Sequence, residues 1–203
     1  MLVVIHTLCM AITARSFGVK VLKVSMGFGP SLFSYKGYTV KLFILGGFIQ
    51  MLDSRIDDLE ESDLKYTFDH QNRLKKALIP LSGCVGLIII PFIILGGDAL
   101  TQLYTGIYQI TLGSLKPISI GSEYVSVIVD FVSNNTLIII FAFTSIKLAA
   151  FNLLPLPVLN GGQVIIEILS PPEKICEVLF KMGALTLFII IVSWLLAIFT
   201  FAW

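Results

Sequence analysis

Four long apolar runs constrain the fold of this chain more than any other feature: Met1–Ala14, Leu78–Leu95, Leu137–Leu154 and Gly183–Trp203. A helix needs about 20 apolar residues to cross the hydrocarbon core of a bilayer, which is roughly 30 Å thick. The 203 residues are 56% hydrophobic and only 13% charged, whereas soluble domains carry about 25% charged residues. We therefore predict a mainly α-helical membrane protein with about four transmembrane helices.

The first apolar run, Met1–Ala14, is short for a membrane span. As a helix it covers only about 21 Å, at about 1.5 Å per residue. It lacks the basic start of a signal peptide, because Arg15, Lys20 and Lys23 follow the run instead of preceding it. We predict a membrane segment and not a cleaved signal. Either this helix enters only part of the bilayer or it continues upstream of Met1.

The region between the first two runs, Val19–Leu52, has the pattern of β-strands. Apolar and polar residues alternate in Val19–Ser25 and again in Tyr38–Ile44, and turn residues stand at Gly27–Pro30 and Lys36–Gly37. We predict a membrane-associated β-hairpin or sheet between the first and second helices. Its edge could pair with an extended peptide by β-augmentation, or the hairpin could be merely structural.

The basic residues predict the orientation. Ten of the fourteen Lys and Arg residues lie between Arg15 and Lys76, and only Lys116 lies within residues 96–135. The positive-inside rule then assigns two loops to the cytoplasmic side of a multi-pass protein in the cytoplasmic (inner) membrane, residues 15–76 and 155–182. The net charge is +1, so nothing indicates nucleic acid as a partner.

The stretch Asn152–Gly162 cannot be an ordinary helix. Pro155 and Pro157 each fix φ and remove a backbone donor, and two adjacent glycines, Gly161 and Gly162, permit φ values closed to other residues. We expect a rigid, extended piece of chain at the end of the third run. In a membrane such backbone is tolerated only where it is buried in protein or lines a polar cavity, so this stretch is a candidate site.

Two segments together resemble the site-2 protease family, the M50 intramembrane zinc metalloproteases. They are His6-Thr-Leu-Cys-Met10 and Asn152–Gly162, with Gly18-Val19, Gly27-Phe-Gly29 and Gly46-Gly47 between them. The likeness is to the bacterial branch that cuts anti-sigma factors. It implies a zinc-binding HExxH motif on the first core helix, a membrane-embedded β element, and an N-x-x-P-x-P-x-L-D-G-G segment that supplies the third ligand.

The residues that would do the chemistry in this family are replaced. His6 matches the first histidine of HExxH, but Thr7 stands for the glutamate, Met10 for the second histidine, and Asn160 for the aspartate. In HExxH the histidines bind zinc and the glutamate activates the metal-bound water. Threonine is no base at neutral pH, and a thioether is a poor zinc ligand. We therefore expect no intact catalytic set and no bound cofactor, with His6 the one retained ligand.

The connector Gly96–Asn135 is also short. It has about 40 residues, against about 100 for a domain of modal size, whereas members of the anti-sigma-factor branch usually insert PDZ-like domains. We predict a single membrane domain over residues 1–203 with no PDZ insertion.

The leading hypothesis is a catalytically inactive site-2-protease-like protein that binds a membrane partner, as a subunit or assembly factor of a membrane complex. The residues predicted to bind the partner are Gly46, Gly47, Lys147, Asn152, Pro155 and Pro157. One alternative is an active intramembrane zinc metalloprotease that uses His6 with atypical ligands. Another is a transporter or channel component built on Lys147, because a lysine inside a membrane span is costly and is a functional candidate.

Overall fold

The computed structural model describes residues 1–57 and 59–203, apart from the side chains of Phe28, Ile44 and Leu45. Within those residues the chain is mainly helical with one small sheet, as predicted. The order is α1 (Leu2–Ser16), β1 (Val21–Tyr35), β2 (Tyr38–Met51), a 3₁₀ helix (Glu61–Tyr66), α2 (Arg73–Leu95), α3 (Asp98–Leu115), a π-helical turn (Pro117–Gly121), α4 (Ser122–Asn134), α5 (Leu137–Asn152), α6 (Asn160–Leu169) and α7 (Glu173–Ala202).

The chain forms two compact units. One contains residues 1–87 and 167–170, and the other contains residues 88–166 and 171–203. The predicted connector, residues 96–135, contains helices α3 and α4 and the π-helical turn between them. The single membrane domain without a PDZ insertion stays a prediction.

Two helices among the described residues are long and apolar enough to cross a membrane. They are α2, with 23 residues, and α7, with 30 residues. The other two predicted spans are shorter apolar helices: α1 has 15 residues and α5 has 16. At about 1.5 Å per residue, α1 and α5 are each about 22 to 24 Å long, so the count of four transmembrane helices stays a prediction.

The sheet in the first unit is built from two long, bent antiparallel strands. Lys36 and Gly37 form the tight turn between them, with φ of 45° and 85°, as predicted. Each strand bends and so contributes two segments to the sheet, because Val24 pairs with both Tyr38 and Ile49. The order of the four strand segments across the sheet is 31–35, 38–41, 24–26 and 47–51. In the described part of the chain, residues 47–51 therefore pair on one side only.

The bend in β1 replaces the predicted turn at Gly27–Pro30. Gly27 has φ 96°, and a Cβ there would lie 2.7 Å from the carbonyl oxygen of Phe43. Only glycine adopts this left-handed backbone without strain and leaves room for the facing strand. The bend makes the hairpin wide enough to cover a helix.

Helix α1 packs on one face of this sheet. Ala11, Val24 and Met26 are buried together there, and Ala14 and Val19 form a second cluster with Ile79 of α2. The sheet also carries large exposed hydrophobic side chains: Leu32, Phe33, Tyr35, Leu42, Phe43 and Phe48. Such side chains suit contact with lipid, which supports the prediction that the sheet is membrane-associated.

The carboxylates of Asp53 and Asp69 accept hydrogen bonds from residues of the loop after β2. Asp69 accepts hydrogen bonds from the amide of Ser54 at 3.0 Å and from its hydroxyl at 2.5 Å. Burial alone would raise the pKa of Asp69, but these hydrogen bonds and one from Thr67 hold the pKa well below its usual value. The side-chain hydrogen bond from Arg55 likewise lowers the pKa of Asp53.

Replacing Asp69 with asparagine is expected to destabilise the protein at pH 7 by about 1 to 3 kcal/mol, because it removes hydrogen bonds to a charged acceptor. The pKa of Asp69 is lower in the folded than in the unfolded state, so its contribution is full above about pH 4, the unfolded value, and is lost as the pH falls toward the folded value. Melting temperatures of the two proteins should therefore converge below about pH 4. Glu61→Gln changes an exposed residue in the same loop. Its melting temperature should equal that of the unmodified protein at pH 7 and also below about pH 4.

The second unit is a helical bundle joined at small residues. A Cβ at Gly106 of α3 would lie 2.9 Å from the Cβ of Ala150 on α5. One at Gly113 would lie 2.7 Å from the indole ring of Trp194 on α7. The glycines let the helices approach closely, as is typical of helix packing in membranes.

Candidate functional site

Thr7, which stands at the position of the catalytic glutamate, is part of the core of the first unit. Its side chain is fully buried, at 0% exposure. Its hydroxyl donates to the carbonyl oxygen of Val3, one turn earlier on α1, at 2.8 Å. Its methyl group faces the sheet, because a Cβ at Gly47 would lie 2.7 Å from it. Thr7 therefore serves helix packing and presents no base.

The face of α1 that carries His6 and Met10 is covered by α2. His6 is 7% exposed. A Cβ at Gly83 would lie 2.6 Å from Cε1 of His6, 2.7 Å from its Nδ1 and 2.9 Å from Cγ of Met10. A Cβ at Gly86 would similarly lie 2.5 Å from the Sγ of Cys9. The backbone of α2 at Gly83 thus lies directly on the imidazole of His6.

Sequence reasoning assigned no role in helix packing to Gly83 or Gly86. The available signal was two glycines about one turn apart on an apolar helix, since small residues let helix backbones approach closely in membranes.

The proline-rich segment is a compact turn, and the expectation of an extended conformation was wrong. Helix α5 ends at Asn152, whose Nδ2 donates to the carbonyl oxygen of Leu148 at 2.9 Å. The amide of Leu156 then bonds Leu154, and that of Leu159 bonds Leu156, each at 2.8 Å. Backbone hydrogen bonds within the segment therefore shorten it.

The two glycines after the turn allow it to fold back. A Cβ at Gly162 would lie 2.2 Å from the carbonyl carbon of Leu156, and one at Gly161 would lie 2.3 Å from the carbonyl oxygen of Leu153. The turn backbone therefore rests on the first turn of α6. Asn160, the first residue of that helix, is buried at 7% exposure.

The two prolines have different surroundings. Pro155 is exposed at the tip of the turn. Pro157 is half-buried, and its Cδ lies where a Cβ at Gly183 of α7 would be only 2.7 Å away. Pro155 is therefore accessible to another molecule, whereas Pro157 stabilises the turn against α7.

The side chain of Lys147 forms hydrogen bonds with residues of helix α3, which belongs to the same unit. Its ammonium lies 3.0 Å from Oε1 of Gln109, 3.3 Å from the hydroxyl of Thr105, and 3.2 Å from both the Oε1 and the carbonyl oxygen of Gln102. Sequence reasoning missed these partners, although the polar residues at positions 102, 105 and 109 are spaced three and four apart and so lie on one helix face.

The donor chemistry of the motif positions does not fit zinc. His6 supplies an imidazole, but threonine, methionine and asparagine occupy the other positions, and zinc takes cysteine, histidine and carboxylate ligands. Among the described residues, no group of three or more His, Cys, Asp or Glu could hold a metal ion.

The family is decided by comparison with known proteins. The profile of Peptidase family M50 matches residues 1–190. The chain belongs to Peptidase family M50. This confirms the resemblance to the site-2 proteases that the motifs predicted. M50 is a family of membrane proteins, and together with the two candidate spans the match supports contact of this M50 chain with a lipid bilayer.

Individual relatives match part of this M50 chain. A Vibrio cholerae protein named "Putative zinc metalloprotease" is 37% identical over 87 residues, a match covering 40% of this chain and 19% of that protein. Zinc metalloprotease RasP of Bacillus licheniformis is 35% identical over 88 residues, covering 38% of this chain and 20% of RasP. The matched part thus spans about a fifth of the length of these relatives.

Proposed function

We propose that this M50 protein does not cut peptide bonds and instead binds a membrane protein partner, as a subunit or assembly factor of a membrane complex. The observation that carries the proposal is the state of Thr7. At the position where the family's glutamate would activate water, a fully buried hydroxyl is bonded to the carbonyl oxygen of Val3. Neither charge nor solvent access remains for a general base.

The neighbouring positions support the same conclusion. A catalytic metal needs ligands that leave one coordination position open to water. His6 and Met10 instead lie against the backbone of α2 at Gly83, and Asn160 is a neutral amide where the family has a carboxylate. No hydrolytic step can be derived from this set of side chains.

Two surfaces remain for a partner. Gly47 begins the outer segment of the sheet, residues 47–51, which pairs on one side among the described residues, and Gly46 directly precedes it in β2. An extended peptide could therefore add there. Pro155 is the exposed tip of the proline-rich turn. Asn152 bonds back to the carbonyl oxygen of Leu148 within the last turn of α5, and Pro157 packs on α7. A role for Lys147 in partner binding stays a prediction.

The proposal includes a multi-pass protein of the cytoplasmic membrane with residues 15–76 and 155–182 on the cytoplasmic side. Lys76 of the first segment and Glu167 of the second form an ion pair at 3.0 Å. Arg73 donates to the carbonyl oxygen of Ile168 at 3.5 Å. These contacts support placing the two segments on the same side.

An active zinc metalloprotease with atypical ligands is the second candidate, because the relatives are named zinc metalloproteases. It requires about one tightly bound zinc per chain, which metal analysis of the purified protein would detect. For the proposed binding protein we expect less than about a tenth of a zinc per chain, since imidazole alone is a weak site. The transporter or channel hypothesis rests on Lys147 alone.

The partner-binding proposal predicts a specific contact at Pro155. A photo-crosslinking residue at position 155 should capture one stoichiometric membrane protein after gentle solubilisation. Pro155→Asp should reduce its recovery at least about tenfold, because a charge at an interface core costs more than about 1.4 kcal/mol. Pro172→Asp is the matched control: it is also exposed, and aspartate suits the N-cap of α7. A chain that purifies alone, with nothing crosslinked at position 155, would refute the subunit role.

A further inference from the structure

A half-open cavity of about 380 Å³ lies among the helices of the second unit. Helices α3, α4, α5 and α7 all contribute to its lining. One of its residues is Lys147, so a charged group and a ligand-sized space coincide. Pockets for small molecules start at about 300 Å³ and are mostly apolar with a few placed polar groups.

Among the described residues, the ammonium of Lys147 has hydrogen-bond acceptors but no acidic partner. Its partners, Gln102, Thr105 and Gln109, are all neutral. Among the described residues, none of the ion pairs includes Lys147. An ammonium in apolar surroundings interacts strongly with an anion because the local dielectric constant is low.

The cavity is polar at one end and apolar at the other. Lys147, Gln102 and Gln109 line the polar end. Ile140 is seven residues before Lys147 on α5, about 10 Å along the helix axis, and lines the cavity with the apolar residues Val132, Phe131 and Phe143. The rings of Phe131 and Phe143 lie 4.5 Å apart and form one apolar wall.

Charge and lining decide the occupant of the cavity. At one end, the ammonium of Lys147 has only neutral partners among the described residues. Toward Ile140 and Val132 the lining is apolar. A molecule with an anionic head and a hydrocarbon chain complements both ends. We propose that this cavity binds an anionic amphiphile, with its carboxylate or phosphate head on Lys147 and its hydrocarbon chain toward Ile140 and Val132.

This inference does not depend on partner binding at Pro155. The ligand is a small molecule in the helical unit, and the side chain that recognises it is Lys147. Loss of ligand binding in a Lys147 variant and loss of the partner in a Pro155 variant can therefore be observed separately.

The test measures palmitate binding to delipidated protein in an uncharged detergent. We expect about one palmitate per chain, and at least about tenfold weaker binding of hexadecanol, which has a similar chain but no charge. Lys147→Met should weaken palmitate at least about tenfold and leave hexadecanol unchanged, whereas Lys147→Arg should retain palmitate binding. Ile140→Trp should fill the apolar end and weaken both ligands.

Competition by phosphatidylglycerol, in the same detergent, distinguishes the sources of the anionic head. Displacement of palmitate identifies a phospholipid headgroup, and failure to displace it identifies a free fatty acid; either result supports the site. The proposal is overturned if folded Lys147→Met binds palmitate as tightly as the unmodified protein, or if Ile140→Trp has no effect on either ligand.

Discussion

Thr7→Glu is expected to lower the free energy of unfolding by about 2 to 4 kcal/mol, because it adds volume and a carboxyl group to a packed site. Thr7 is fully buried, and its methyl group lies against the strand at Gly47. A longer glutamate side chain there would overpack the contact with Gly47. In a working member of the family, glutamate is the residue that the site is built to hold.

Thermal unfolding in detergent measures this effect, and a drop of about 5 to 15 °C is expected for a chain of this size. Thr7→Val is the matched control, since it keeps the shape and removes only a hydroxyl that bonds within the helix. Its melting temperature should change little. If Thr7→Glu melted like the unmodified protein and acquired stoichiometric zinc, the site would be a metal centre and the proposed function would fail.

The second large effect is expected from Gly83→Ala, whose new Cβ would meet His6 and Met10 at 2.6 to 2.9 Å. Alanine is a better helix former than glycine by about 1 kcal/mol. A lower free energy of unfolding in the variant would therefore come from the clash with His6 and Met10. We expect a loss of about 1 to 3 kcal/mol from overpacking. In a His6→Ala background the loss should shrink, with a coupling energy of about 1 to 2 kcal/mol.

Gly86→Ala is the control for this cycle, because its Cβ would meet Cys9 and not His6. Its cost should be the same with and without His6→Ala, and should fall with Cys9→Ala. Equal costs of Gly83→Ala in both His6 backgrounds would show that the imidazole does not pack on α2. Observed coupling would show that His6 now serves helix packing.

The sequence predicted the elements whose signal is local. Alternation of apolar residues predicted the hairpin of β1 and β2, and long apolar runs predicted α2 and α7. Motif spacing alone predicted membership of the M50 family. The residues at the motif positions, among them Thr7 and Asn160, already indicated a changed chemistry, because side-chain identity limits what a site can do.

Other features depended on contacts between residues far apart in the chain. The expectation of an extended segment at Asn152–Gly162 was wrong because two prolines predict rigidity but not the direction of the chain. The segment 96–135 had too few long apolar runs to show its helices, whose packing depends on contacts such as that of Gly113 with Trp194. The partners of Lys147 on α3 were missed for the same reason.

By itself, the sequence determined that this chain is a membrane protein of the M50 family, because composition, periodicity and residue identity are local properties. The tertiary structure alone decided how the altered positions are used. It buried Thr7 against the sheet, laid the backbone of α2 on His6 at Gly83, and placed Lys147 in the lining of a cavity beside α3. Such contacts arise from close packing between distant segments, which no local pattern specifies.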